Sequence, residues 1–306
     1  MRITTSMVQR NVLADLNSIS EKLARSQQKA SSNKEISRPS DDPFNAARAM
    51  ALRQSMNGTR QHQRNVEDAV GWTDATDQAL SAISESVRSA RDLLVQGGTD
   101  STDQNSRNAI AAELEQLVEA IKGDASATYR GSYIFSGAET AVRPYAAGAD
   151  DTYHGDDAGF DPGVAGIVRE IGPGVTMTLN IVGHEVLGQG QGAGDNKLLD
   201  VIRDAIDHLR AGDGASVRGT DLARLDQNFD NLLDVQAGNG ARANRLEAAL
   251  SRLQEVEETT VKQLSDTEDA DIAKTIIDLN SQQAAYQAAL RAGASIVQSS
   301  LMDFLR

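Results

Sequence analysis

The two ends of this 306-residue chain carry matching apolar stripes, and such stripes limit what its termini can do. Near the start, Val12, Leu16, Ile19 and Leu23 are spaced by four, three and four residues. Near the finish, Ile272, Ile276 and Leu279 continue through Tyr286, Leu290, Val297 and Leu301, with Gln283 and Gly293 in the intervening stripe positions. Apolar residues recurring about every 3.5 positions are the seam of a coiled coil. Each stripe is narrow and its helix otherwise polar, so neither helix is stable without a partner. An ordinary intramolecular bundle satisfies that need. The terminal position of both stripes, outside a better-filled helical body, favours ends that pair with each other, with neighbouring copies, or with both.

Between the stripes the pattern is helical, then β, then helical. A breaker region holds Pro39, Asp41, Asp42 and Pro43. Pro43 suits the first position of a new helix and Asp42 its N-cap, where a carboxylate accepts from unpaired amides. Asp41 adds charge favourable to the positive helix end. That helix should run from about Pro43 to Val95, with Val66, Val70, Thr73, Leu80, Ile83, Val87 and Leu94 inward and Gly97-Gly98 as its stop. A second is expected over Ser106–Lys122. After the middle of the chain, helices are expected over Lys197–Arg210, from Asp221 onward, and from about Asp269 to Leu305. Gly238, Asn239 and Gly240 leave two readings, a break or a strained continuous helix, because each glycine costs a helix about 1 kcal/mol.

Composition changes over residues 131–194, which hold 14 of the 25 glycines, three of the five prolines, eight acidic residues and only two basic ones. Thr176, Thr178 and Asn180 alternate with Val175, Met177, Leu179 and Ile181, the period of a strand. Strands are expected at Tyr133–Phe135, Ile167–Ile171, Val175–Val182 and His184–Leu187. The expected fold class is therefore mainly α with an inserted β-rich domain, as a long helical bundle or coiled coil built from both termini. Its parts are a terminal assembly region (1–40 and 267–306), a helical core domain (41–130 and 195–266) and a Gly-rich acidic β-domain (131–194).

The formal net charge of −14 makes nucleic acid and anionic lipid surfaces unfavourable partners. Cysteine is absent, which removes disulfides and thiolate chemistry. No stretch reaches the apolar length of a membrane span, and Met1–Arg10 has no apolar core of a secretory leader. His184-Glu185 starts a zinc-protease motif, but Gly188 stands where its second histidine belongs. Gly188, Gly190 and Ala193 satisfy a loose dinucleotide fingerprint inside a glycine-rich return segment, with no second βαβ unit to support it. Asp150-Asp151 and Asp156-Asp157 read as solvated loop charge. No catalytic residues, cofactor or metal are expected. A soluble enzyme or binding module using the acidic β-domain is the alternative from another class.

Three segments carry a resemblance. Ser31–Arg53 (SSNKEISRPSDDPFNAARAMALR) resembles the N-terminal signature of the flagellin superfamily, with Asn33 where that family usually has glycine. Asp269–Arg306 is similar to its C-terminal signature. Gly131–Tyr145, with Tyr133, Phe135 and Gly137, resembles a segment of the members that sit at the junction of flagellar hook and filament. The resemblance implies an outward-facing β-domain, inner terminal helices that complete a coiled coil on assembly, and no catalysis. It also implies export through the flagellar type III channel without a cleaved signal peptide and an extracellular, motility-related role. The implied partners are hook-associated protein 1, flagellin, further copies of the chain and a cytoplasmic export chaperone. The filament subunit itself is the alternative within the superfamily.

Overall fold

A computed structural model describes residues 5–148, 150–156, 166–190, 192 and 194–304, with side chains for residue 7 and residues 10–294. Its helices are α1 (Thr5–Ser32), α2 (Pro43–Gly97), α3 (Gln104–Ala125), α4 (Gly183–Val186), α5 (Leu198–Ala211), α6 (Gly214–Ser216), α7 (Leu222–Glu268) and α8 (Ile272–Phe304). A π-helical turn, Val217–Asp221, leads into α7. The strands are β1 (Thr128–Tyr129), β2 (Ser132–Tyr133), β3 (Val168–Gly172) and β4 (Val175–Thr178). Compactness divides the chain into an end unit, residues 1–58 and 256–306, and a body, residues 59–255. The division falls inside α2 and α7, whereas the boundaries expected from sequence lay at the helix breaks near 40 and 267.

In the body, α2 and α7 run antiparallel. Arg91 Nε is 2.7 Å from Asp226 Oδ1, Gln236 Nε2 donates to Ser81 Oγ at 2.9 Å, and Asn239 Nδ2 donates to the Thr73 carbonyl at 2.9 Å. That last bond is made from within the Gly238–Gly240 segment, which stays helical. A buried polar tie of this kind helps hold a helix through two unfavourable glycines. Helix α3 packs on α5, and its N-cap Asp103 accepts from Ser106 N. Leu80, Leu114, Ile121, Leu199, Val201, Leu209, Leu225 and Leu246 are fully buried in one continuous core.

The glycine-rich segment is less β-like than its alternation predicts. It holds two antiparallel two-stranded hairpins, β1–β2 and β3–β4, the second with a register shift between Glu170 and Gly172. His184–Leu187, expected as a strand, lies instead in and just after the single turn α4. The inward side chains Ile134, Phe135, Tyr145, Ile171, Leu179 and Leu187 join the core of the helices. Two-stranded ribbons are marginal alone and need such a surface to pack against.

Asp151 is a second departure. It is not solvated loop charge: it is buried, with Lys122 Nζ 2.9 Å from its Oδ1 and Arg203 Nε 2.6 Å from its Oδ2. Burial alone would push this carboxyl up, but the hydrogen bonds from Arg203 and Lys122 hold it below the usual range. Lys122 also meets Glu119 at 3.0 Å and the Gly148 carbonyl at 2.6 Å, so its buried ammonium is fully coordinated.

Candidate assembly surface

The end unit is built on α1 and α8, which pair antiparallel. A Cβ placed on Gly293 of α8 would lie 3.3 Å from Val12 Cγ1 and 3.7 Å from Leu16 Cδ1. All four expected residues of the first stripe, Val12, Leu16, Ile19 and Leu23, are half-buried on a mostly exposed helix. On α8 the protected positions are Thr275, Leu279, Gln282, Tyr286, Ala289 and Gly293. Their steps of four and three make a regular heptad face, but one composed largely of small and polar residues.

This changes the C-terminal assignment. Leu279 and Tyr286 lie on the protected face, whereas Ile272, Ile276 and Leu290 are 57%, 49% and 46% exposed. At about 100° per residue, Ile272, Ile276 and Leu290 sit roughly 60–100° around α8 from the centre of that face. The side chains of Val297 and Leu301 lie outside the described residues. The cause of the shift is close approach: small residues let the α1 and α8 backbones come together, so the larger aliphatic groups are left on the flank. Leu13 of α1 and Ile277 of α8 are exposed as well. Helix α8 thus has one face closed on α1 and a second, apolar flank open.

The linkers at the base of these helices are tied to each other. Lys34 and Asp269 form an antiparallel bridge, Glu35 N donates to the Glu268 carbonyl at 2.8 Å, and Ala270 N donates to the Asn33 carbonyl at 2.9 Å. Asn33 has φ 54°, the left-handed region, which explains both the usual glycine there and why asparagine replaces it. Glu268, buried, takes Lys34 Nζ at 2.6 Å and pairs with Arg53.

The helix-start turn lies where the sequence places it. Asp41 Oδ2 accepts from Arg38 N at 2.9 Å and Ser37 N at 3.3 Å, which closes the loop around Pro39. Asp42 Oδ1 accepts from Asn45 N at 3.0 Å, and Pro43 opens α2. The bond from the Asn45 amide holds the Asp42 carboxyl below its usual range. Asp271 caps α8 in the same way, accepting from Lys274 N at 3.1 Å. A cavity of about 430 Å³ lies beside the first linker, lined by Ile36, Pro39, Ala46, Ala49, Met50 and their polar neighbours.

Tyr133, Phe135 and Gly137 serve the body. Tyr133 N donates to the Thr140 carbonyl at 2.8 Å, and the buried Phe135 offers its carbonyl to Tyr153 Oη at 2.9 Å and Gly183 N at 2.8 Å. Gly137 has φ 66°, and a Cβ there would come within 3.0 Å of Asp156 Cβ. His184 packs edge-on against Tyr153, with ring centroids 5.2 Å apart. Among the described residues, no group of three or more His, Cys, Asp or Glu side chains is arranged to hold a metal ion, and no helix is long and apolar enough to cross a membrane.

Paired terminal helices, a helical body and small β-hairpins are features the chain shares with solved proteins of the bacterial flagellum. Residues 3–140 match the bacterial flagellin N-terminal helical region. The chain is similar to flagellar hook-associated protein 3 of Escherichia coli (strain K12), 25% identical over 95% of this chain and 96% of that one. It is also similar to flagellin of Bacillus subtilis (strain 168), 24% identical over 100% of both. A solved flagellar hook-associated protein of Vibrio parahaemolyticus shares the fold, with a TM-score of 0.63 and 23% identity over 75% of this chain and 100% of that one.

Proposed function

We propose that the chain is a non-catalytic structural protein of the bacterial flagellum that forms the junction zone between hook and filament. The observation that carries the reading is the end unit, in which α1 and α8 close one face on each other and leave an apolar flank on α8 uncovered. A monomer with such a flank is complete only inside an assembly. Hook-associated protein 1 adjoins it on the hook side and flagellin on the filament side, with further copies around the axis. Before assembly, a cytoplasmic export chaperone covers the open helices. The chain leaves through the flagellar channel and works outside the cell.

Leu16→Asp and Leu290→Asp test this. Each fully buried Leu or Ile of a seam contributes on the order of 1.5–3 kcal/mol. The body should still fold in both variants, read by the fluorescence of its single tryptophan, Trp72, while the protein disappears from sheared flagella. Normal flagella built from either variant would refute the seam assignment. The full-length similarity to Bacillus subtilis flagellin supports a second reading, the filament subunit. Deleting the gene separates the two. Loss of a junction protein releases unpolymerised flagellin into the medium, whereas loss of the filament subunit leaves no flagellin to release.

A further inference from the structure

We propose that copies of this chain join head to tail, with Phe44 of one copy entering the cavity beside the 36–39 linker of the next; this rests on the self-assembling reading above. Phe44 is 77% exposed, the most exposed large hydrophobic residue among those described. A phenylalanine side chain represents roughly 150 Å² or more of surface that gains from burial. The cavity, about 430 Å³, has an apolar lining of Ile36, Pro39, Ala46, Ala49 and Met50. Both features belong to the end unit.

The geometry excludes self-filling. Ala46, Ala49 and Arg53 lie about 140–200° around α2 from Phe44, at about 100° per residue. Knob and hole therefore sit on opposite faces of the same helix start. A contact of one patch with a different patch on the next copy is heterologous, and repeated it gives a ring or an open helical array rather than a two-fold dimer. Either suits copies arranged around an axis.

Charge favours a second copy as the occupant. The cavity rim carries Lys34, Arg38 and Arg53 against Glu268, with Asp41 tied to the Arg38 and Ser37 amides, while Asp42 lies two residues before Phe44. An apolar knob with an acidic base thus meets an apolar hole with a basic rim. Across the end unit, 13 basic residues balance 13 acidic ones, against 17 and 31 in the body. End units can therefore crowd together without the self-repulsion that the body carries.

The absence of cysteine makes the test direct. Cells co-express two single-cysteine variants that keep Phe44, the exposed Ala47→Cys on the same side of α2 and Met50→Cys, and sheared flagella are treated with a short bismaleimide and digested for mass spectrometry. The expected product is a 47–50 cross-link, necessarily between copies. Phe44→Ala should separately lower the amount of the chain retained in flagella by roughly tenfold or more, as for a central aromatic anchor. If both cysteine variants are found in flagella without a 47–50 product, or with 47–47 products only, the knob-and-hole contact is wrong and the assembly reading survives. If the wild-type chain is itself missing from sheared flagella, that broader reading fails, and this contact with it.

Discussion

The body and the end unit use the same kind of residue in opposite ways. In the body, apolar side chains at helical spacing, from Val66 through Leu94 on α2 and from Ile110 through Ile121 on α3, meet partners on every side and are almost entirely buried. In the end unit the best-protected face of α8 is made of Thr275, Gln282, Ala289 and Gly293 beside Leu279 and Tyr286, while Ile272, Ile276 and Ile277 are exposed. The body also carries the excess of acidic charge, while the end unit is balanced. Burial completed within one chain stabilises that chain; burial left for later makes stability depend on the partner's presence. The end unit is therefore intelligible as half of an interface and the body as a finished domain.

The sharpest way to break that comparison is to make the same truncation in both. Ile83→Ala removes a fully packed body side chain and should cost about 2–5 kcal/mol, with the cavity it leaves adding to the lost burial. Ile276→Ala removes a side chain that is 49% exposed and should change the monomer by less than about 0.5 kcal/mol. Denaturant unfolding followed by the fluorescence of Trp72, in the buried core of the body, reads Ile83→Ala, and amide exchange along α8 reads Ile276→Ala. Equal costs at the two positions would mean that the α8 flank is already covered in the monomer.

Much of this contrast was legible in the sequence, and the parts that were not share one physical cause. The first stripe, the Asp42-Pro43 helix start and the end of α2 near Gly97 depend on residues close in sequence, and all three lie where expected. The second stripe divides between the face on α1 and the open flank, because apolar periodicity favours large aliphatic residues, whereas close helix approach selects small ones. Ile272, Ile276 and Leu290 carry the apolar signal, yet it is at Gly293 that a Cβ would lie 3.3 Å from Val12 Cγ1. Asp151 looked solvated because the cations that bury it, Lys122 and Arg203, are 29 and 52 residues away. The segment at His184 has the composition of a strand, but it closes a single helical turn beneath Tyr153.

A smaller effect probes how the end unit holds α8 at all. Asp271 accepts from Lys274 N, while its carbonyl takes Thr275 N at 2.8 Å and Thr275 Oγ1 at 2.7 Å. Asp271→Ala removes the side-chain cap and should cost α8 about 1 kcal/mol. Amide exchange over Lys274–Ile277 should quicken, while the Trp72 transition stays where it was. A body transition that moves as far as the α8 amides would show that the two units do not melt separately.

The smallest expected effect is a pH dependence confined to the body. His208 Nδ1 lies 2.7 Å from Oδ2 of the buried Asp221, at the π-helical turn that opens α7. The hydrogen bond to Asp221 raises the histidine above its ordinary value, with Asp213 and Asp204 adding in the same sense. Burial pushes Asp221 up despite the imidazole beside it and Arg224 3.9 Å away. The histidine is the group whose ordinary range lies nearest neutrality. Its folded-state pKa is raised, so its contribution is fully present below about pH 6.5, the unfolded value, and is lost as pH rises through the folded one. The imidazole is 38% exposed, and solvent screening keeps the effect small. Body stability should therefore decline gently from below pH 6.5 through neutrality, and His208→Gln should flatten that slope. A slope that persists in the variant would assign the titration to another group.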